Sequence, residues 1–358
     1  MVSCLHLKHP RRLHNLFLVV VFYLFTHTVN SAYGLEAAQL AVIVNELDPQ
    51  SLAVARYYQA SRAIPVENMI YVAFNPNGVN MDVDEFSKLH KMIVANTLNT
   101  IKAYAITWTE PYRVGCMSMT SAITFGFNKA YCAKGCAVTK KSPFYVDYST
   151  DEPQREINNV NPISMMLAGI SEKQVKSLID RGKRTSLHVR KPQAFLLQSR
   201  DKNRNVQAKK YRQRFGEYQG NIETHYKKKS FLVGEKNILY YSVGLTTVPY
   251  LGRNTFLPGA IGEHLTSAGG MLTDSYQMSI LRWLEAGATA SYGTVVEPCN
   301  FTEKFSNPLT LLASLERGDS VIEAYWKSVS MPGQGVFVGE PLATPLPRQD
   351  LFSVIVNQ

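Results

Sequence analysis

The sequence predicts an α/β domain of three layers, with helices packed on a mostly parallel sheet. Two observations predict it. Short apolar runs rich in β-branched residues alternate with longer segments of helical spacing, the pattern of strand–helix–strand units with right-handed crossovers. The chain is also long and apolar enough for a sizeable core, with 358 residues of which 45% are hydrophobic. Only 18% are charged, which excludes wholesale disorder.

The elements follow in order. Leu40 to Asn45, LAVIVN, reads as a buried strand. Asp48 caps a helix with Pro49 in its first turn, and the helix runs to about Ala63, before Pro65. Met69 to Ala73 is the next strand, and Asn75 to Asn80 a loop. Asp82 caps a helix carrying Phe86, Leu89, Ile93 and Ile101 on one face, and Ala103 to Thr107 is a third strand. Residues 108–161 break the alternation. They hold three cysteines and several aromatics, and read as an ordered insertion over one end of the sheet. Alternation resumes with a strand at Ser164 to Leu167, a helix from Ser171 to about Arg184, and a strand at Gln193 to Gln198. A basic helix at Asn205 to Tyr218 and a strand at Asn237 to Gly244 follow. Then come a helix near Ala260 to Thr266, a second at Gln277 to Glu285, and a strand at Gly287 to Val296. Helices near Leu309–Leu315 and Ser320–Ser330 precede a loop at Pro332 to Gly335.

Residues 1–34 read as an export signal. Lys8, Arg11 and Arg12 precede the ten-residue apolar core Leu16 to Phe25, and small residues around Ala32 offer cleavage sites. Ten apolar residues are too few to span a bilayer, which takes roughly 20. No later stretch is apolar enough to cross one. The expected organisation is a signal at 1–34, one domain at 35–345 with its insertion at 108–161, and a tail at 346–358. The net charge is +10, or +7 without the signal. A periplasmic or extracellular location permits disulfides, so Cys116, Cys132, Cys136 and Cys299 are candidates for pairing, with connectivity open.

Chemistry concentrates near Glu297-Pro298-Cys299, at the carboxyl end of a core strand, where open α/β sheets place ligands. His264 lies upstream in GAIGEHLTSAGG. An imidazole that deprotonates a thiol for attack on a carbonyl would make His264 and Cys299 a catalytic dyad. Glu297 or Glu263 would orient the imidazole, and Gly269 and Gly270 would offer N–H groups to an oxyanion. Thr266 and Ser267 beside them, and Glu323 with Trp326 on a later helix turn, are candidate substrate-binding residues. Against this stands the commoner role of cysteine as a buried residue or disulfide half.

No metal or cofactor is expected. Cys132-x-x-x-Cys136 lacks a second ligand pair, and the glycines at 333, 335 and 339 have the wrong spacing for a dinucleotide fingerprint. The basic stretch from Arg200 to Lys229 reads as a solvated face. If it binds anything, export favours an anionic glycan or envelope surface over nucleic acid.

Six segments carry a resemblance: AITWTEPYRVGCMSMTSA at 105–122, LIDRG at 178–182, SRDKNRNV at 199–206, EHLTSAGG at 263–270, GATASYGTVVEPC at 287–299 and EAYWKSVSMPGQGVFVGEPLA at 323–343. They resemble a family of exported bacterial proteins, without an assigned activity, found in genomes with the exosortase protein-sorting system. More distantly, GATASYGTV is similar to the strand that follows the catalytic cysteine of gingipain-type peptidases, relatives of caspases, and GVFVGEPLA resembles their closing segment. This resemblance implies a caspase/gingipain-like fold. The chain departs from the pattern at both catalytic positions. Leu245-Thr246-Thr247 follows the strand where those enzymes have His-Gly, and Leu257 to Gly262 holds no cysteine. Two functions are therefore expected in competition. One is a non-catalytic envelope protein that binds exported polypeptide or glycan on a peptidase-like scaffold. The other is a cysteine peptidase or transpeptidase using His264 and Cys299.

Overall fold

A computed structural model describes Met1 and residues 34–346, apart from 134, 149–160, 185–188, 190 and 274. Nearly all of the expected signal and of the expected tail lie outside the described residues. The first strand, β1 (Leu40–Asn45), is buried at every position, so both of its faces are covered. Helix α1 (Pro49–Arg62) starts where Asp48 accepts the Gln50 N–H at 2.9 Å, and stops at Ala63 in left-handed conformation. β2 (Met69–Val72) pairs parallel to β1. β3 (Asn80–Met81) precedes α2 (Val83–Ala95), capped by Asp82. β4 (Ala103–Ile106) pairs on the other side of β1.

The insertion contributes β5 (Arg113–Val114) and β6 (Met117–Ser118), which join β3 in a small sheet. It also contributes α3 (Met119–Phe125), whose first six residues are buried. This helix packs on the main sheet, so part of the insertion is core and not a cover over one end. β7 (Ile163–Met166), α4 (Glu172–Gly182), β8 (Gln193–Leu197) and α5 (Val206–Gly216) continue the alternation. β9 (Glu223–Lys227), within the basic stretch, is a strand where none was expected.

β10 (Ile238–Gly244) pairs parallel to β11 (Phe256–Leu265). The helix expected near Ala260 to Thr266 is therefore a ten-residue strand. Gly262 explains the choice: a Cβ there would lie 2.3 Å from the Trp283 ring, so the backbone lies flat against an indole. The following helix, α6 (Leu281–Glu285), is shorter than expected, because residues 277–280 form turns around Ser279. β12 (Ala290–Thr294), α7 (Pro308–Glu316) and α8 (Val321–Ser328) fall where expected. β13 (Gly335–Gly339) is a further strand that the sequence did not suggest.

The main sheet has ten strands in the order β2-β1-β4-β7-β13-β12-β11-β10-β8-β9. All neighbours are parallel except β12 and β13. Residues from Gly34 onward cluster as one compact unit. Among the described residues no helix is long and apolar enough to cross a membrane.

Two disulfides form, Cys116–Cys132 and Cys136–Cys299. All four cysteines expected as candidates for pairing are thus bonded, and the bond to Cys136 removes Cys299 as a free thiol.

Candidate functional site

At the carboxyl ends of β11 and β12 lies a cavity of about 190 Å³. Arg204, Thr266, Ser267, Glu297, Cys299 and Asn300 line it. The loop after β8 supplies Arg204. That loop is closed by Asn205, whose Oδ1 accepts the Ser199 N–H at 2.9 Å and whose Nδ2 donates to the Ser199 carbonyl at 2.9 Å. Asp201 holds the arginine at 2.7 Å, and Arg204 Nε donates to Thr266 Oγ1 at 3.3 Å. Gly244, the last residue of β10, has no room for a Cβ against the Arg204 carbonyl, so the loop presses directly on the strand end.

The opposite wall is the turn after β12. Glu297 Oε1 accepts the Cys299 N–H at 2.7 Å, and Cys299 sits in left-handed backbone with φ 55°. Lys304 and Gln334 support this turn from within. The Lys304 ammonium is fully buried and donates to Gln334 Oε1 at 2.7 Å, while Gln334 Nε2 donates to the Glu297 carbonyl at 3.1 Å. Burial pushes the Lys304 pKa down, and the charge of Glu297 opposes that shift. In sequence, a lysine in FTEKF resembles any surface lysine, so nothing marked it beforehand.

The predicted residues divide. Thr266, Ser267, Glu297 and Cys299 do meet at the cavity. His264 is absent from its lining. The imidazole is 2% exposed, its Nε2 donating to the Met278 carbonyl at 3.0 Å and its Nδ1 accepting the Trp283 indole N–H at 3.0 Å. Both ring nitrogens are occupied, and burial pushes the imidazole pKa down to about 4. Cys299 is covalently bonded to Cys136. The structure therefore does not bring together an imidazole with a free nitrogen and a free thiol, and Glu297 bonds the Cys299 backbone instead of orienting an imidazole.

The other candidates have packing roles. The Gly270 N–H donates to the Thr294 carbonyl at 2.9 Å and is not available to an oxyanion. A Cβ on Gly269 would meet the His264 ring at 3.3 Å, and one on Gly270 the Gly293 carbonyl oxygen at 2.3 Å, so this pair permits close approach to β12. Glu323 caps α8, accepting from the Ser320 N–H at 2.9 Å, and also accepts the Leu35 N–H at 3.1 Å. The Trp326 indole donates to the Ser164 carbonyl at 3.0 Å and packs on Phe337.

Next to His264 on β11, Glu263 points into the opposite layer. It accepts from Tyr240 Oη at 3.1 Å and Ser306 Oγ at 2.5 Å, and burial pushes its carboxyl pKa up to about 7. The two titrations oppose each other. The His264 contribution to stability is full above pH 6.5 and is lost as pH falls toward about 4. The Glu263 contribution is full below pH 4.5 and is lost as pH rises through about 7. Each changes stability by about 1.4 kcal/mol per pH unit where the windows overlap, with opposite sign. The parent protein is expected to show little net slope from this pair between pH 4.5 and 6.5. Glu263→Gln should unmask stability that rises with pH, and His264→Gln stability that falls. Urea midpoints across that range check both.

No protein-family model matches the chain, and no curated protein does. Two solved structures are similar to it. One is the complex of the pro- and mature domains of RgpB from Porphyromonas gingivalis, at 10% identity and TM-score 0.43, covering 86% of this chain and 80% of that one. The other is a structure of a protease, at 11% identity and TM-score 0.38, covering 86% and 78%. Both resemblances are distant.

Proposed function

We propose that this chain is an exported, non-catalytic envelope protein that binds protein or glycan on a peptidase-like α/β scaffold. The observation that carries the reading is the Cys136–Cys299 bond, which occupies the thiol of the only expected dyad. Two disulfides fit a folded chain in an oxidising compartment. The cavity at the carboxyl edge of β11 and β12 suits a small polar group of a ligand, with Ser267, Glu297 and Asn300 among its lining residues. Three of the segments that carry the resemblance to exported proteins of exosortase-bearing genomes, 199–206, 263–270 and 287–299, line this cavity. A role in surface sorting rests on that resemblance.

Differential alkylation of the mature protein with mass spectrometry tests the reading. The expected result is a Cys136–Cys299 peptide pair resistant to alkylation before reduction. A free Cys299 that alkylates as a thiolate near neutral pH would overturn it in favour of a cysteine hydrolase.

A further inference from the structure

A second concavity lies at the far end of the sheet, where the loops after β8 and β9 meet, and it has a different character. It is a cleft of about 730 Å³ beside the edge strand β9. Arg200, Lys228 and Lys229 line it, and all three are exposed. None of them forms a salt bridge among the described residues. Among the described lining residues the one carboxylate, Glu235, is already paired with Lys227 at 2.8 Å. The cleft therefore carries uncompensated positive charge.

The same rim carries exposed aromatic surface. Phe231 lines the cleft and is 38% exposed, and Tyr250 meets it edge-on at 5.2 Å with 52% exposure. Tyr250 is held outward in left-handed backbone, φ 59°, a conformation that a bulky residue rarely adopts. Arg253 stacks over its ring at 5.6 Å. The walls are tied together: Ser230 Oγ accepts the Arg200 N–H at 3.1 Å, and Asn254 Nδ2 donates to the Leu232 and Tyr250 carbonyls at 3.0 and 3.2 Å.

We infer that this cleft binds an acidic polysaccharide, with Arg200, Lys228 and Lys229 contacting uronate carboxylates and Phe231 and Tyr250 stacking on sugar rings. Charge complementarity selects a polyanion. The oxidising compartment that the disulfides fit makes glycan, and not nucleic acid, the polyanion at hand. The concave shape suits a single chain better than a flat bilayer. The inference rests on the reading of the chain as an exported binding protein, and names its partner class.

The test is binding of alginate and polygalacturonate oligosaccharides to the full chain by calorimetry at low and physiological salt. The expected result is binding that weakens at least tenfold with added salt. It should fall at least tenfold in Arg200→Ala/Lys228→Ala/Lys229→Ala and severalfold in Tyr250→Ala, and be absent for neutral dextran. Circular dichroism and melting curves confirm that the variants fold. Binding unchanged in the triple variant or in Tyr250→Ala, equal binding to dextran, tighter binding to duplex DNA or to anionic phospholipid vesicles at matched salt, or no binding at all would overturn it. None of the substituted residues lines the cavity beside Cys299, so alkylation of Cys299 reports on the broader reading independently.

Discussion

Arg62→Ala is expected to destabilise the domain by about 3–5 kcal/mol, because it strands a buried carboxylate. Glu340 follows β13 directly and its side chain is 0% exposed. It accepts from Tyr58 Oη at 2.6 Å and from Arg62 Nε at 3.1 Å, and a second contact to Arg62 Nη2 makes the pair bidentate. Arg62, the last residue of α1, also donates to the carbonyl of Gly182, the last residue of α4, at 2.9 Å. One guanidinium thus joins two helices to the end of a central strand. Gly182 has no space for a Cβ, which would lie 2.5 Å from Glu340 Oε2. Once the cation is removed, Tyr58 is left as the principal donor to a charge that water cannot reach. Urea unfolding checks the loss, and Arg62→Ala/Glu340→Gln should recover part of it. A loss below about 1 kcal/mol would mean that the pair behaves as an exposed one.

Cys136→Ser should cost about 4–5 kcal/mol under non-reducing conditions while the native fold is retained. Cys136 and Cys299 are 163 residues apart, so their bond removes a large loop-closure entropy from the unfolded chain. Cys116 and Cys132 are 16 apart, and Cys116→Ser should cost nearer 3 kcal/mol. The difference between the two variants is the informative quantity, since strain local to either bridge would not follow chain separation. Denaturant midpoints of both variants, with and without reductant, measure it. The long bridge also ties the insertion to the turn that walls the cavity, so Cys136→Ser should loosen Glu297 and Asn300 against proteolysis.

Much of this architecture was legible in the residues, for local reasons. LAVIVN at 40–45 is buried on both faces and reads as a continuous apolar run. Asp48, Asp82 and Ser171 each cap the helix they were expected to cap. The failures share a cause. β11 hides because a central strand carrying Gly259, Gly262, Glu263 and His264 lacks the apolar, β-branched signal, and those residues make sense only beside Trp283, Tyr240 and Ser306. β9 hides in a lysine-rich segment because it is an edge strand, half exposed along its length. The cavity was half legible. Thr266, Ser267, Glu297 and Cys299 were singled out, but for a thiol that the fold commits to Cys136. Arg204 and Lys304 were hidden because the contacts that place them at the cavity, to Thr266 and to Gln334, lie far away in sequence.

The position of β13 sets the order in which this protein can be completed during synthesis. Strands β2, β1, β4 and β7 form one half of the main sheet, and β12, β11, β10, β8 and β9 the other. β13, the last strand of the described chain, is the only one that touches both halves, pairing with β7 through Val338–Met166 and with β12 across five residues. Until residues 335–339 emerge from the ribosome, each half ends in an unpaired edge, and Glu340 has not reached Arg62. A nascent chain is thereby kept from joining the two halves of its main sheet until residues 335–339 have been made.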